Sequence, residues 1–176
     1  MIKLVNGRGQ LGQALSKELQ KTNYTVFKEP GYGNSEDVSI YHTWNVKDKS
    51  ESKQIFELKK FISFVDKSCS DQKIIFISTS SQKESWYVHY KQVAEAYLLT
   101  NHSNSLVLRF PLFIGKGPVL GFKNKTMVPY GKMELISVGD AAHEVVQKIY
   151  YNGNVRCFTF RGEVVNAQTI YKVLSV

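Results

Sequence analysis

Ile2, Leu4 and Val5 form a short apolar run of the kind a buried parallel strand shows, and Leu11, Ala14, Leu15 and Leu19 then recur at helical spacing. Tyr24 to Lys28 reads as a second strand, ended by the turn-forming stretch 29–34 with Pro30, Gly31 and Gly33. A third strand fits Asp37 to His42, where Val38, Ile40 and His42 alternate. After the polar stretch Asn45–Ser52, a helix runs to about Lys67 on the apolar set Ile55, Phe56, Leu58, Phe61, Ile62 and Val65. Lys73 to Ser78 contains Ile-Ile-Phe-Ile, a strand buried on both faces, and the cluster Ser78–Ser81 closes it. The next helix spans Trp86 to Thr100. Leu106 to Leu108 is a strand closed by Arg109-Phe110-Pro111. The stretch 114–131, with Gly115, Gly117, Pro118, Gly121, Pro129 and Gly131, is the most loop-like part. Asp140 is expected to cap a helix running to about Tyr151, Val155–Phe160 to form the last strand, and Asn166–Leu174 a last short helix. Strand and helix alternate throughout, which predicts an α/β fold on a parallel sheet.

The turn between the first strand and the first helix is Gly7-Arg8-Gly9-Gln10-Leu11-Gly12, a G-x-G-x-x-G pattern. Strand, glycine turn and helix together are the context a dinucleotide-binding fingerprint requires. Gly7 permits the tight turn. Gly9, with no Cβ, lets a pyrophosphate approach the backbone. Gly12 lets the helix pack close to the strand. The helix N-terminus adds unpaired N–H groups and a positive dipole end. Gly7, Arg8, Gly9, Gln10, Leu11 and Gly12 are therefore the candidate cofactor-binding residues. The end of the second strand decides between NAD and NADP, because an acid there pairs with ribose hydroxyls and a base accommodates a 2′-phosphate. Lys28 and Glu29 stand there side by side, and Arg8 in the glycine turn weighs toward NADP. The alternative is a plain strand–helix turn rich in glycine.

Composition narrows the setting. At 176 residues one domain is expected, with room for a substantial core. The net charge of +8 first suggests nucleic acid, yet the lysines are scattered rather than gathered in a block. No recognition motif or aromatic–basic ribbon supports that reading, and a positive field equally suits dinucleotides or nucleotide-sugars. Cys69 and Cys157 show neither metal spacing nor a disulfide framework, so no metal is expected and a reducing cytoplasm is the default. No apolar run reaches membrane-spanning length and no signal-peptide pattern opens the chain. A homodimer is an open alternative to a monomer.

Thr79 falls at the carboxyl end of a predicted central strand, where open α/β sheets bind ligands. Tyr87 and Lys91 lie four apart in the following helix and share a face. A phenol titrates near 10 and is a poor acid–base group at neutral pH, and a nearby ammonium favours the phenolate. A hydroxyl such as Thr79 orients a substrate oxygen while the tyrosine moves the proton, which suits carbonyl reduction or alcohol oxidation beside a nicotinamide. The spacing alone is common: Tyr24 and Lys28 repeat it inside a strand, without catalytic meaning. Outside a site, Tyr87 is an amphipathic ring at a helix edge and Lys91 a solvated side chain.

The order of these features resembles the extended short-chain dehydrogenase/reductase superfamily, in its NAD-dependent epimerase/dehydratase branch. Gln10-Leu11-Gly12 is similar to the dTDP-4-dehydrorhamnose reductase type. Asp37–His42 resembles that branch's fourth strand, and Phe76-Ile77-Ser78-Thr79-Ser80 its strand end with the catalytic Ser/Thr, which maps to Thr79. Tyr87, Lys91 and Glu95 match its Tyr-x-x-x-Lys-x-x-x-Glu helix. Leu108–Pro111 with Gly115 resembles the segment lining the nicotinamide pocket, which adds Pro111 to the cofactor set. Val138–Ala142 and Gly162-Glu163 resemble its late signatures. The resemblance implies a Rossmann-like doubly wound parallel sheet ordered 2-1-4-5-6 in family numbering. The third strand and its helix are absent, since only a turn separates the second strand from Asp37. It also implies one NAD(P)-binding domain over 1–176, with reduced substrate-binding segments at about 114–137 and 161–176. The chain departs from the family in length, in a glycine spacing one residue short, and in the short stretch from Thr79 to Tyr87.

The resemblance further implies an NAD(P)-dependent oxidoreductase or epimerase acting on a nucleotide-linked sugar or other small carbonyl substrate. Tyr87 is then the proton donor and acceptor. Lys91 depresses its pKa and holds the nicotinamide ribose, and Thr79 orients the carbonyl. Lys116, Lys123 and Lys125 offer a positive loop to a diphosphate. A dehydratase lacks its extra acid/base pair, because Ser80 and Ser81 follow Thr79. The competing expectation is a non-catalytic dinucleotide-binding or scaffold module that kept the fold.

Overall fold

The computed structural model describes residues 2–5, 9–22, 26–27, 37–114 and 131–169, with only the backbone of 26–27. In chain order the elements are β1 (Ile2–Val5), α1 (Gln10–Gln20), β2 (Val26–Phe27), β3 (Val38–Tyr41), α2 (Glu51–Asp66), β4 (Lys73–Thr79) and α3 (Trp86–Asn101). There follow β5 (Ser105–Phe110), β6 (Leu112–Ile114), β7 (Lys132–Ser137), α4 (Val138–Gln147), β8 (Cys157–Thr159) and β9 (Glu163–Asn166).

Six strands form one sheet in the order β2-β1-β3-β4-β5-β8, and every neighbouring pair is parallel. This is the expected 2-1-4-5-6 order, extended by β8 at the far edge. Among the described residues no strand flanks β2 on its outer side; the turn 29–34 lies outside them. The chain steps from β1 to β2 on one side and then crosses to β3 on the other. The strand order therefore reverses at β1, and the crevice above the carboxyl ends of β1 and β3 is where such sheets bind ligands.

Each face of the sheet carries its own core. Ile2, Leu4, Ile40, Ile75, Ile77, Leu106 and Leu108 point toward α1 and α4, where Leu11, Leu15, Leu19, Ala141, Ala142 and Val145 meet them. Val5, Tyr41, Ile74, Phe76 and Val107 point the other way, onto Phe61, Phe64 and Val65 of α2 and Ala94 and Leu98 of α3. Both faces are covered, so every residue of β1 and β3 and all but the last of β4 is buried, and the Ile-Ile-Phe-Ile of β4 reads as a continuous apolar run. Burying each large aliphatic or aromatic side chain contributes about 1.5–3 kcal/mol. The second helical layer is tied by Tyr90 donating to Glu51 (3.2 Å) and Tyr97 donating to Asp66 (2.5 Å).

A smaller sheet, β6-β7-β9, continues from β5 and was not expected from the sequence: β6 runs parallel to β7, and β9 antiparallel to it. Three boundaries also differ. Asp140 is not the cap of α4. Ser137 is: its Oγ accepts from the Asp140 N–H (3.0 Å) and donates to the Asp140 carboxylate (2.7 Å), so Asp140 serves inside the first turn. The helix ends at Gln147 rather than near Tyr151. Glu163–Asn166 is a strand and the last helix begins at Ala167, one residue later than expected, while residues from 170 onward lie outside the described set.

Gly162 joins the two sheets. A Cβ there would run into the Leu135 carbonyl of β7 and press on the Pro111 ring. Gly162→Ala should therefore force β9 off β7, lowering stability by about 1–3 kcal/mol in urea unfolding. An unchanged midpoint would show that the close approach is not needed.

Candidate active site

The carboxyl ends of β1, β3 and β4 carry the site. Gly9 is the N-cap of α1, in an extended conformation (φ −73°, ψ 172°), with the first helical bond running from the Gln13 N–H to its carbonyl at 2.9 Å. Among the described residues no side chain caps this end, and no acid stands in the first turn. A Cβ on Gly9 would meet nothing within 4 Å, so the space above it is open on the protein side. Gly9 and Gln10 are exposed, while Leu11 and Gly12 are buried against the sheet. An uncapped helix N-terminus with an open approach fits a diphosphate. Gly7, Arg8 and Lys28, and the lysines of the 115–130 segment, lie outside the described residues.

On the other side of the crevice, α3 turns its charges inward. Lys91 is 4% exposed and Glu95 2%. The Lys91 Nζ donates to the Ile77 carbonyl at 2.6 Å, and lies 4.6 Å from the Phe76 ring centroid and 5.0 Å from that of Trp44. Burial pushes its pKa down to about 7, against the opposing pull of Glu95. Glu95 in turn accepts from Arg109 of β5, through Nε at 2.9 Å and through Nη2. Trp44 is held by a clamp of its own. Its indole donates to Gln54 Oε1 (2.7 Å), and the fully buried Gln54 donates to the carbonyls of Asn45 (3.0 Å) and Asp48 (2.5 Å).

Tyr87 lies one turn before Lys91, with the ammonium 6.0 Å from its ring centroid. The expectation that Lys91 lowers the phenol is reversed. Burial pushes Tyr87 up to about 12, because a phenolate in this apolar setting loses its hydration. Tyr87 is therefore a protonated phenol at neutral pH.

The sheet's alternation sorts the hydroxyls of the Ser/Thr cluster. Ser78 pairs in register with Arg109 and shares the α3 face with Phe76 and Lys91. Thr79 pairs with Phe110, whose ring belongs to the α1/α4 core, so Thr79 leaves the strand toward the opposite face. The Thr79 hydroxyl accepts from the Ser81 N–H at 3.2 Å. Tyr87 and Lys91 are thus brought together on one helix face, whereas Thr79 is set apart from them. Pro111 is buried at the end of β5 beside Gly162.

Sequence reading did not single out the buried polar atoms of His42 and Ser78 or the lysine's aromatic seat at Trp44. The Nε2 of His42, the Oγ of Ser78 and the Oε1 of Glu95 are buried atoms that find no hydrogen-bond partner among the described residues. The signal for His42 was present in its place at the end of an alternating strand. That for Ser78 lay in strand parity, since it stands two residues after Phe76. Among the described residues no group of acidic, histidine and cysteine side chains has the makings of a metal site, and no helix is long and apolar enough to cross a membrane.

No protein-family model and no curated protein matches the chain. Solved structures do. The UDP-N-acetylglucosamine 4-epimerase from Bacillus cereus superposes with a TM-score of 0.77 at 14% identity, over 97% of this chain and 81% of that one. The Bordetella bronchiseptica enzyme WbmH in complex with NAD+ gives 0.79 at 14% identity, over 97% and 78%. A dTDP-4-dehydrorhamnose reductase from Bacillus anthracis in complex with NADP gives 0.76 at 13% identity, over 98% and 79%. At these identities the likeness is one of architecture. With its parallel order and its crevice at β1 and β3, the chain is built on the Rossmann-like fold of the nucleotide-sugar epimerases and dehydrorhamnose reductases.

Proposed function

We propose that the protein is an NAD(P)-dependent reductase of a nucleotide-linked ketosugar. The observation that carries this reading is the Tyr87–Lys91 pair: one protonated phenol and one buried lysine on the same face of α3, at the carboxyl edge of a dinucleotide-type sheet. The bound dinucleotide supplies the hydride. Gly9 and Gln10, at the start of α1, would hold its diphosphate. The hydrogens of Lys91 beyond the one on Ile77 serve the ribose hydroxyls. Tyr87 donates its proton to the carbonyl oxygen as the alcohol forms.

The direction follows from the phenol. A phenol pushed up to about 12 carries its proton at neutral pH, the form from which reduction begins, whereas the proton abstraction that opens an epimerisation needs the phenolate. The hydroxyl that steadies the carbonyl is assigned to the Ser78–Ser80 cluster. Thr79 was the first choice, but Ser78 is the member on the Lys91 face. One observation favours the second reading, a binding module without turnover: Thr79 and Tyr87 lie on different faces of the sheet.

Tyr87→Phe removes the transferable proton and keeps the ring. It should lower the reduction rate by about 10² to 10⁴ with dinucleotide affinity unchanged, read as nicotinamide absorbance with a panel of nucleotide ketosugars. Silence of the parent protein across that panel would favour the binding module.

The lysine sets the pH dependence. Its ammonium form is complete below about 7 and is lost as the pH rises through that value. The kcat/KM profile, which reports the free enzyme, should therefore fall on the alkaline side of about 7. A plateau extending to the ordinary lysine range would show that Lys91 is not required in its charged form.

Gly9→Val should fold normally, because the free protein offers its side chain open space, and yet should weaken dinucleotide binding at least about tenfold in calorimetry. Equal affinity in parent and variant places the diphosphate elsewhere.

A further inference from the structure

We propose that the cavity at the amino ends of β4 and β5 is a second binding site, which takes the carboxylate of a small polyhydroxylated acid between Lys73 and Arg156. It lies at the opposite end of the sheet from the crevice of Gly9 and Lys91 and does not depend on the function proposed there.

The cavity has a volume of about 340 Å³, within the range of small-molecule sites. Lys73 opens β4, Ser105 opens β5, and the stretch 151–156 leading into β8 forms a third wall. That wall is fixed by packing. The Tyr151 ring stands edge-on to Phe158, 5.0 Å between centroids, and lies so close to Gly153 that a Cβ there would collide with it. Asn152 and Asn154 are exposed on the same wall, and Ser103 lines the cavity as well.

Charge selects the ligand. Lys73 is 8% exposed, Arg156 is half-buried, and the lining contains no acid. Asp37 and Asp71 reach this corner through main-chain carbonyls, which accept from the Lys73 backbone N–H (2.9 Å) and the Asn104 side-chain amide (2.7 Å), and neither residue lines the cavity. Burial pushes the Lys73 ammonium below its ordinary pKa.

Both cations already serve carbonyls. Lys73 donates to those of Lys148 (3.4 Å) and Tyr151 (2.6 Å), just beyond α4. Arg156 donates to those of Leu99 (2.9 Å) and His102 (2.5 Å) at the end of α3, and to the carbonyl (3.4 Å) and hydroxyl of Ser105. A helix C-terminus carries about half a negative charge, so two helix ends leave about one of the two positive charges unanswered. The cavity therefore suits a monoanion. The count of hydrogens agrees. Of the three on an ammonium Lys73 uses two, and of the five on a guanidinium Arg156 uses four. One remains on each, a match for the two oxygens of a carboxylate. Among the described residues the side chains of Asn152, Asn154 and Ser103 hold no hydrogen bond, which leaves them for hydroxyls on the body of the acid.

Gluconate is the probe, and gluconamide, its neutral counterpart, is the control. In the intact chain without dinucleotide, gluconate should shift the side-chain amide NMR signals of Asn152 and Asn154 saturably and raise the unfolding temperature. Gluconamide should do neither. Asn154→Asp leaves both helix ends as they are, sets a like charge on the wall, and should weaken gluconate binding at least about tenfold. Lys73→Met should abolish it; because that change also releases the carbonyls beyond α4, the Asn154 variant decides if the methionine variant does not fold. A response that does not saturate, an equal response to gluconamide or to chloride, or equal gluconate affinity in parent and Asn154→Asp overturns the proposal. None of these readouts involves turnover, so a failed reduction assay leaves the result intact.

Discussion

Lys91 keeps a charge-bearing head inside the protein because the Ile77 carbonyl and two aromatic faces receive it. A buried ammonium without such partners would be several kcal/mol out of balance. The partners come from separate parts of the chain. The carbonyl belongs to β4, one ring to the same strand and the other to the loop after β3, which Gln54 of α2 pins in place. The lysine is therefore seated only when β3, β4, α2 and α3 are all docked, and Tyr87 rides on the same helix one turn away. Glu95 and Arg109 anchor the next turn of α3 to β5. The chemistry proposed for this protein depends on that seating more than on any single catalytic side chain.

The sheet fixes what each strand can offer the crevice. Parity sends Ser78 to the helical layer of α3, and sends Thr79 to the layer of α1 and α4. The reversal of strand order at β1 places the uncapped start of α1 beside the end of β3, where His42 stands. The proposed diphosphate site and the proposed proton-handling site are thereby adjacent without any long loop to join them. The order of the first five strands agrees with that expected from the sequence, and β8 extends it at the far edge.

The strands were legible because β4 carries the apolar run Ile-Ile-Phe-Ile, β1 the apolar residues Ile2, Leu4 and Val5, and β3 the alternating Val38 and Ile40. The helix of Tyr87 and Lys91 was legible from periodicity and from its place after a strand. The smaller sheet was not. Lys132-Met-Glu-Leu-Ile-Ser lacks clean alternation, and its partners in β6 and β9 are only three and four residues long. The cap of α4 was misread because Ser137 and Asp140 are both good capping residues, and only geometry shows which is outside the helix. The sign of the Tyr87 shift was hidden for a different reason: a sequence shows the lysine four residues away, but not the burial that outweighs it.

The seating of Lys91 can be measured directly. Selective labelling of the lysine side chains and NMR titration of the free protein give the midpoint of this one ammonium. The account predicts a lysine that titrates near 7, in a folded chain, with the rest in their ordinary range or shifted far less. A Lys91 that stays charged to the ordinary lysine value above 10 would mean that its head reaches water, and the buried pair on which the proposed chemistry stands would not exist.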